Sequence, residues 1–148
     1  MKKIGIILSI VAGFAILFTA CGKYEEGPAF SLKTKKARIV GTWGIKEITV
    51  NGNVQDLGDF ANTTFELKKD GTGKLNTSFF GTTISVDMEW KFDDNKENLM
   101  IRMKNQNNEW EEWESSEIIK LTSSELWFRD VETENGETIT TITKLEKK

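Results

Sequence analysis

The chain has 148 residues, with 20 Lys and Arg against 23 Asp and Glu, a formal net charge of −3, a single cysteine and no histidine. That inventory excludes thiol or Ser-His nucleophilic chemistry and His- or thiolate-ligated metals, leaving only a Ser-Lys or carboxylate pair formally open to catalysis. A nucleic-acid partner would need a basic stripe, and the only basic cluster is "KTKK" at 33–36, so no nucleic acid, metal or cofactor is expected.

At the N-terminus Lys2 and Lys3 precede an apolar run over 4–18, and Thr19 and Ala20 precede Cys21. This is the three-part order of a signal peptide, and the run is shorter than the roughly 18 to 20 residues that cross a bilayer. The tail of the run, "FTAC", resembles the lipobox of bacterial lipoproteins, with Phe18 where Leu is usual. The resemblance implies cleavage before Cys21 and acylation of its thiol, with palmitate among the chains. An ordinary secretory peptide with an incidental thiol is the alternative. Acyl chains contribute about 0.8 kcal/mol per buried CH₂, so two or three of them hold a protein on a membrane. Gly22 follows the cysteine where Asp would signal inner-membrane retention, which favours the outer membrane of a Gram-negative bacterium. Lys23, Glu25 and Glu26 resemble a short surface-export tag, interrupted by Tyr24; a solvated tether is the competing reading. Removing residues 1–20 leaves 18 basic residues against 23 acidic, a net charge of −5. The expected divisions are a signal peptide (1–20), an acylated N-terminus and tether (21–38) containing the only proline, Pro28, and one domain (39–148). A short helical turn is expected over 32–38.

Beyond the tether the hydrophobic period becomes two. In "ISVDMEWKF" Ile84, Val86, Met88, Trp90 and Phe92 alternate with polar residues, which predicts a strand with one wet face. Strands are predicted at 41–50, 63–68, 73–80, 83–92, 99–104, 110–121, 125–132 and 138–146. They are separated by Asn51-Gly52, Asp70-Gly71, Gly81-Thr82, the polar run 93–98, residues 105–108, residues 122–124 and Asn135-Gly136. Eight strands joined mostly by short hairpins make an all-β, antiparallel up-and-down meander. Such a sheet leaves two exposed edges unless its first strand pairs with its last, so a small closed barrel is expected. The inward set by alternation is Phe65, Leu67, Leu75, Phe79, Ile84, Val86, Met88, Trp90, Phe92, Leu99, Ile101, Met103, Leu126, Phe128, Ile139 and Leu145. Trp127, between Leu126 and Phe128, then points outward.

Three motifs invite chemistry and fail on spacing. "GTGK" at 71–74 has Lys68 where a phosphate loop needs its first glycine, and Leu75 where it needs Ser or Thr. A calcium loop starting at Asp93 would put Asn98 at its glycine and Lys104 at its bidentate glutamate. In "EWEEWESSE", 109–117, Glu111 and Glu112 diverge on a strand, as Trp110 and Trp113 do unless a bulge intervenes, so an amphipathic strand with exposed acids is expected rather than a sugar-cleaving carboxylate pair.

"IVGTWGIKEITVNG", "FELKKDGTGKL", "MEWKFDDNKENLMI" and "IIKLTSSELWFRD" together resemble the lipocalin-like domain of bacterial lipoproteins. The Gly-x-Trp of lipocalins is matched by Gly41, Thr42 and Trp43; the Thr-Asp-Tyr of true lipocalins is absent. The resemblance implies that Trp43 closes the barrel floor with an arginine lying over it, for which Arg129 is the best-placed candidate. It also implies a non-catalytic module that binds a small apolar or amphipathic ligand. The expectation is a pocket at the mouth opposite Trp43, lined by Phe79, Met88, Trp90 and Met103, with Leu57 and Phe60 of the 51–62 loop as a flap. The alternative is a barrel filled by its own side chains that docks on an envelope protein complex or a glycan.

Overall fold

The computed structural model describes residues 33–148; the predicted signal peptide, Cys21 and most of the tether lie outside the described residues. The chain enters through a short helix, α1 (Lys35–Ile39), whose N-cap is Thr34: its Oγ1 accepts from the Ala37 amide at 3.1 Å. Lys36 and Arg38 sit in its last turn, where cations suit the carbonyl end of a helix. Extended backbone at Val40 ends the helix and starts the barrel.

The strands are β1 (Gly41–Val50), β2 (Asn53–Val54), β3 (Thr63–Leu67), β4 (Thr72–Phe79), β5 (Thr82–Phe92), β6 (Asn98–Met103), β7 (Glu114–Leu121), β8 (Glu125–Glu134) and β9 (Glu137–Lys147). All neighbours are antiparallel and pair in the order β2-β1-β3-β4-β5-β6-β7-β8-β9, and β1 also pairs with β9 from Trp43↔Lys147 to Val50↔Thr141. Setting aside the two-residue β2, this is an eight-stranded meander closed into a barrel, as the alternation predicts. A one-turn 3-10 helix, Gly58–Asn62, occupies the long β1–β3 connection.

Hairpin chemistry sets the registers. Asn51-Gly52, Phe80-Gly81 and Asn135-Gly136 all have positive φ at both positions, the geometry whose twist matches that of paired strands. The turn before β5 therefore lies one residue earlier than the predicted Gly81-Thr82, and Phe80 leaves the strand to take a left-handed conformation (φ 47°) that bulky residues rarely adopt. Two irregularities re-aim side chains: one between Ile45 and Glu47, and one between Ile118 and Lys120, which lets Ile118 and Ile119 both be buried.

The strand predicted at 110–121 begins only at Glu114. Asn105 is the cause. Its Oδ1 accepts from the amides of Asn107 (2.9 Å) and Glu109 (3.0 Å), Asn108 turns left-handed, and only a single Lys104–Trp110 bridge survives upstream. Residues 105–113 become a loop on the outer wall.

The core sits at one end of the barrel. Ile39, Trp43, Leu67, Met88, Trp90, Leu99, Ile118, Leu121, Leu126, Phe128 and Leu145 form one buried cluster, with Ile45, Phe65, Leu75, Phe92, Ile101 and Met103 packed on it. Gly73 is required where β4 crosses this cluster, because a Cβ there would collide with the Glu66 carbonyl oxygen.

Candidate functional site

The floor is built around Trp43, which has no solvent exposure. Its indole Nε1 donates to the Ile39 carbonyl at 2.7 Å, so α1 is held across the barrel end by the residue it covers. Arg38 Nη1 donates to the Leu121 carbonyl at 2.8 Å from the other side.

The cation over the Trp43 ring is Lys147, at 5.0 Å, and not Arg129. Arg129 lies on the outer face, where its Nε and Nη2 each reach a carboxylate oxygen of Glu117 at 2.9 Å. Lys147 Nζ also donates to the carbonyls of Arg38 (3.1 Å) and Val40 (2.8 Å), satisfying groups that a helix end leaves open. Burial, and secondarily repulsion from Lys33, holds its ammonium pKa below the ordinary 10.5. Its stem runs across Gly41, which has φ 142° and where a Cβ would overlap Lys147 Cε. Lys147 shares a face with Leu145, two residues earlier, but it lies one residue past the predicted end of the last strand, and sequence reasoning missed it.

The remaining predicted residues divide between the two ends. Met88 and Trp90 are 1% and 4% exposed and belong to the packed core; Trp90 Nε1 donates to the Lys68 carbonyl at 3.0 Å and its ring meets Phe92 edge-on at 5.8 Å. They close the lower half rather than line an accessible wall. Met103 pairs across from Met88 and is half-buried, as is Phe79 near the β4–β5 turn. Leu57 is half-buried and Phe60 exposed on the connection that lies beside β1 and β4. Of the predicted pocket, the structure therefore brings Phe79, Leu57 and Phe60 to the mouth, with Met103 below.

Toward that mouth the barrel wall thins. β6 pairs with β5 only as far as Met103, and β7 pairs with β8 only as far as Glu117↔Arg129, while the β4–β5 and β8–β9 hairpins continue to Phe79↔Thr82 and Glu134↔Glu137. Positions on the inward parity consequently stay in contact with water: Ile48, Val50, Thr77, Phe79, Val86 and Ile139 are half-buried, and Ile84, on the predicted inward face, is 55% exposed because β6 stops before it and only Thr77 of β4 pairs with it. The inward parity of β7, β8 and β9 carries Glu114, Ser116, Asp130, Glu132, Thr141 and Thr143 instead. The upper interior is thus an open cup, apolar along β1, β4 and β5 and, Ile139 apart, polar along β7 to β9. Val54, Phe60, Phe80 and Val131 are exposed around its rim.

Sequence reasoning missed an aromatic cluster on the outer wall. Arg102 lies 5.0 Å from the Trp110 ring and 4.7 Å from Trp113, Lys91 lies 4.3 Å from Trp113, and Lys104 lies 5.2 Å from Trp110. The signal was present in the spacing of the two tryptophans, which an extended strand would have split to opposite faces. Trp127 lies outside the barrel as alternation predicts, flanked by Lys120 at 4.2 Å and Lys144 at 4.6 Å.

No family model matches the chain, and no curated protein matches it. Solved structures similar to it include bovine odorant-binding protein in complex with a selenium-containing odorant, at 12% identity over 80% of this chain and 76% of that one (TM-score 0.44). A deswapped triple mutant of the bovine protein is 12% identical over 78% of this chain and 75% of that chain (TM-score 0.42). Odorant-binding protein OBP1 is 14% identical over 80% and 77% of the two chains (TM-score 0.44).

Proposed function

We propose that the chain is a non-catalytic, membrane-anchored lipoprotein whose barrel binds a small apolar or amphipathic ligand in the open cup. The observation that carries this reading is the half-burial of inward-facing apolar residues, Ile48, Val50, Phe79, Val86 and Ile139, in the upper half of a closed barrel. In a filled barrel those side chains would be as dry as Trp43. Eight strands leave room either for packed side chains or for one small ligand, and here the two solutions divide the barrel between them.

Acylation of Cys21 supplies the anchor, and the outer membrane is the proposed location. Because the chain enters at the floor through α1, a tether from Cys21 leads to the closed end, which leaves the cup free to face away from the lipid. Cys21→Ser is expected to release the full chain from membrane fractions and abolish lipid labelling with the fold unchanged; retention at the wild-type level contradicts the anchor.

Binding is tested by titrating the full chain with an environment-sensitive apolar dye. Emission is expected to rise saturably and to be weakened by Phe60→Asp at the rim and Ile139→Asp inside the cup. No saturable response, with the fold intact, would favour the second reading, a protein that docks on an envelope complex. The exposed rim of Val54, Phe60, Phe80 and Val131 is the observation that supports that alternative.

A further inference from the structure

We propose that the groove at the foot of Trp110, on the outside of the barrel and bordering the cup at Val86 and Met103, binds a short neutral oligosaccharide. The groove beside Trp110 has a volume of about 220 Å³ and runs past Thr72, Lys74, Asp87 and Glu89. It shares Lys74 and Asp87 with an adjoining groove of about 450 Å³, bounded by Ser85, Lys104, Asn105, Gln106 and Asn108. The larger of the two falls within the range of small-molecule clefts, roughly 300 to 1,000 Å³, and the smaller extends it to Trp110.

The aromatic wall is preorganised. Trp110 remains 39% exposed, yet Arg102 fixes it together with Trp113, and Arg102 is itself fixed by Glu89, whose Oε2 accepts from Nε at 2.8 Å and from Nη2 at 2.6 Å. A rigid indole offers the apolar C–H face of a sugar ring a large contact area without ordering a flexible side chain on binding.

The hydrogen-bonding groups suit the same ligand. The side chains of Gln106, Asn107 and Glu111 carry no protein partner among the described residues and line the groove or its continuation past Met103. A sugar hydroxyl both donates and accepts, and amides beside a carboxylate offer both functions, while the apolar part of the wall meets the C–H face of the ring.

Charge selects against anions. Asp87 faces Lys74 at 3.4 Å and Lys104 at 4.0 Å, and Glu89 neutralises Arg102, so the cations along the groove have acidic partners. Glu109, Glu111 and Glu112 on the same loop add a repulsive field for any polyanion.

The test is an array of short gluco-, manno-, xylo- and galacto-oligosaccharides, printed beside heparin and single-stranded DNA. It is probed with the full chain in a detergent that carries no sugar, and hits are measured by calorimetry. At least one neutral class is expected to bind, with Trp110→Ala weakening it by about tenfold or more, the equivalent of one good stacking contact. Gln106→Ala, at an exposed position, is expected to weaken it severalfold with an unchanged melting temperature, and Phe79→Ser in the cup to leave it unchanged. Binding to no neutral class, binding only to heparin or DNA, or full affinity in both the Trp110 and Gln106 variants would overturn the proposal.

Discussion

One face of one strand shows how differently the two ends of this barrel are built. Along β8 the inward parity runs Leu126, Phe128, Asp130 and Glu132; the first two are buried in the core and the last is exposed. The backbone is equally regular throughout, pairing residue for residue with β9 from Glu125↔Glu146 to Glu134↔Glu137. The contrast lies in what stands opposite. At the floor α1, Trp43 and Lys147 cover the lumen, whereas at the mouth β6 and β7 stop short and the 105–113 loop, held by a single Lys104–Trp110 bridge, takes their place. Ladder hydrogen bonds thus run along β8 and β9 from floor to mouth, but hydrophobic burial stabilises only the floor half, which leaves the other half for the proposed ligand.

The comparison is broken most severely at the floor. Trp43→Ala is expected to cost about 3 to 5 kcal/mol, because it opens a cavity and removes the hydrogen bond that holds α1. Leu126→Ala is expected to cost about 2 to 5 kcal/mol for the same reason. Chemical denaturation checks both, and a loss under about 1 kcal/mol for Trp43→Ala would show that the floor is not the stabilising layer.

Lys147→Met sharpens the account by keeping the stem over Gly41 while removing the ammonium. The carbonyls of Arg38 and Val40 lose their donor, for an expected cost of about 1 to 3 kcal/mol. The same variant reports on linkage. With its folded pKa depressed, Lys147 contributes a destabilisation while charged, and this is relieved as pH rises from the folded pKa toward 10.5. Wild-type stability, measured relative to Lys147→Met, is therefore expected to increase through that alkaline window.

At the mouth the same measurements should return small numbers. Ile84→Ala and Phe80→Ser are expected to fall within about 0.5 kcal/mol of wild type, since neither side chain is packed. Trp127→Ala, between two lysines outside the barrel, is expected to lie between these and Trp43→Ala. Smallest is Asp70, whose carboxyl is held below the ordinary 3.8 chiefly by the Thr72 hydroxyl and amide. Its contribution is present above pH 3.8 and disappears as pH falls, so Asp70→Ala should slightly flatten the acid limb of a stability profile and leave the rest unchanged.

Alternation made the faces legible: Met88, Trp90, Leu99, Leu126, Phe128 and Leu145 are all where period two puts them. It did not make depth legible. Ile84 and Leu126 share an inward parity, and only the endpoints of neighbouring strands decide which is dry. Those endpoints depend on side chain to backbone bonds such as those of Asn105, which shortened the predicted strand at 110–121. For the same reason Trp110 and Trp113 were expected to diverge, and the loop instead lets both meet Arg102. The floor was half legible. Trp43 followed from Gly-x-Trp, but the cation above it is set by how far β9 runs, and that puts Lys147 there while Arg129 pairs with Glu117.

The division of the barrel is tested most directly by thiol accessibility in the Cys21→Ser background. Thr141→Cys, on the inward face near the mouth, and Leu126→Cys, on the inward face near the floor, are each exposed to a small polar thiol reagent in the folded protein. The account predicts that Thr141→Cys reacts quickly and becomes protected when the apolar dye is bound, while Leu126→Cys reacts only at the rate of unfolding. Slow labelling of both without dye would mean that the barrel is filled from floor to mouth and has no cup to offer a ligand.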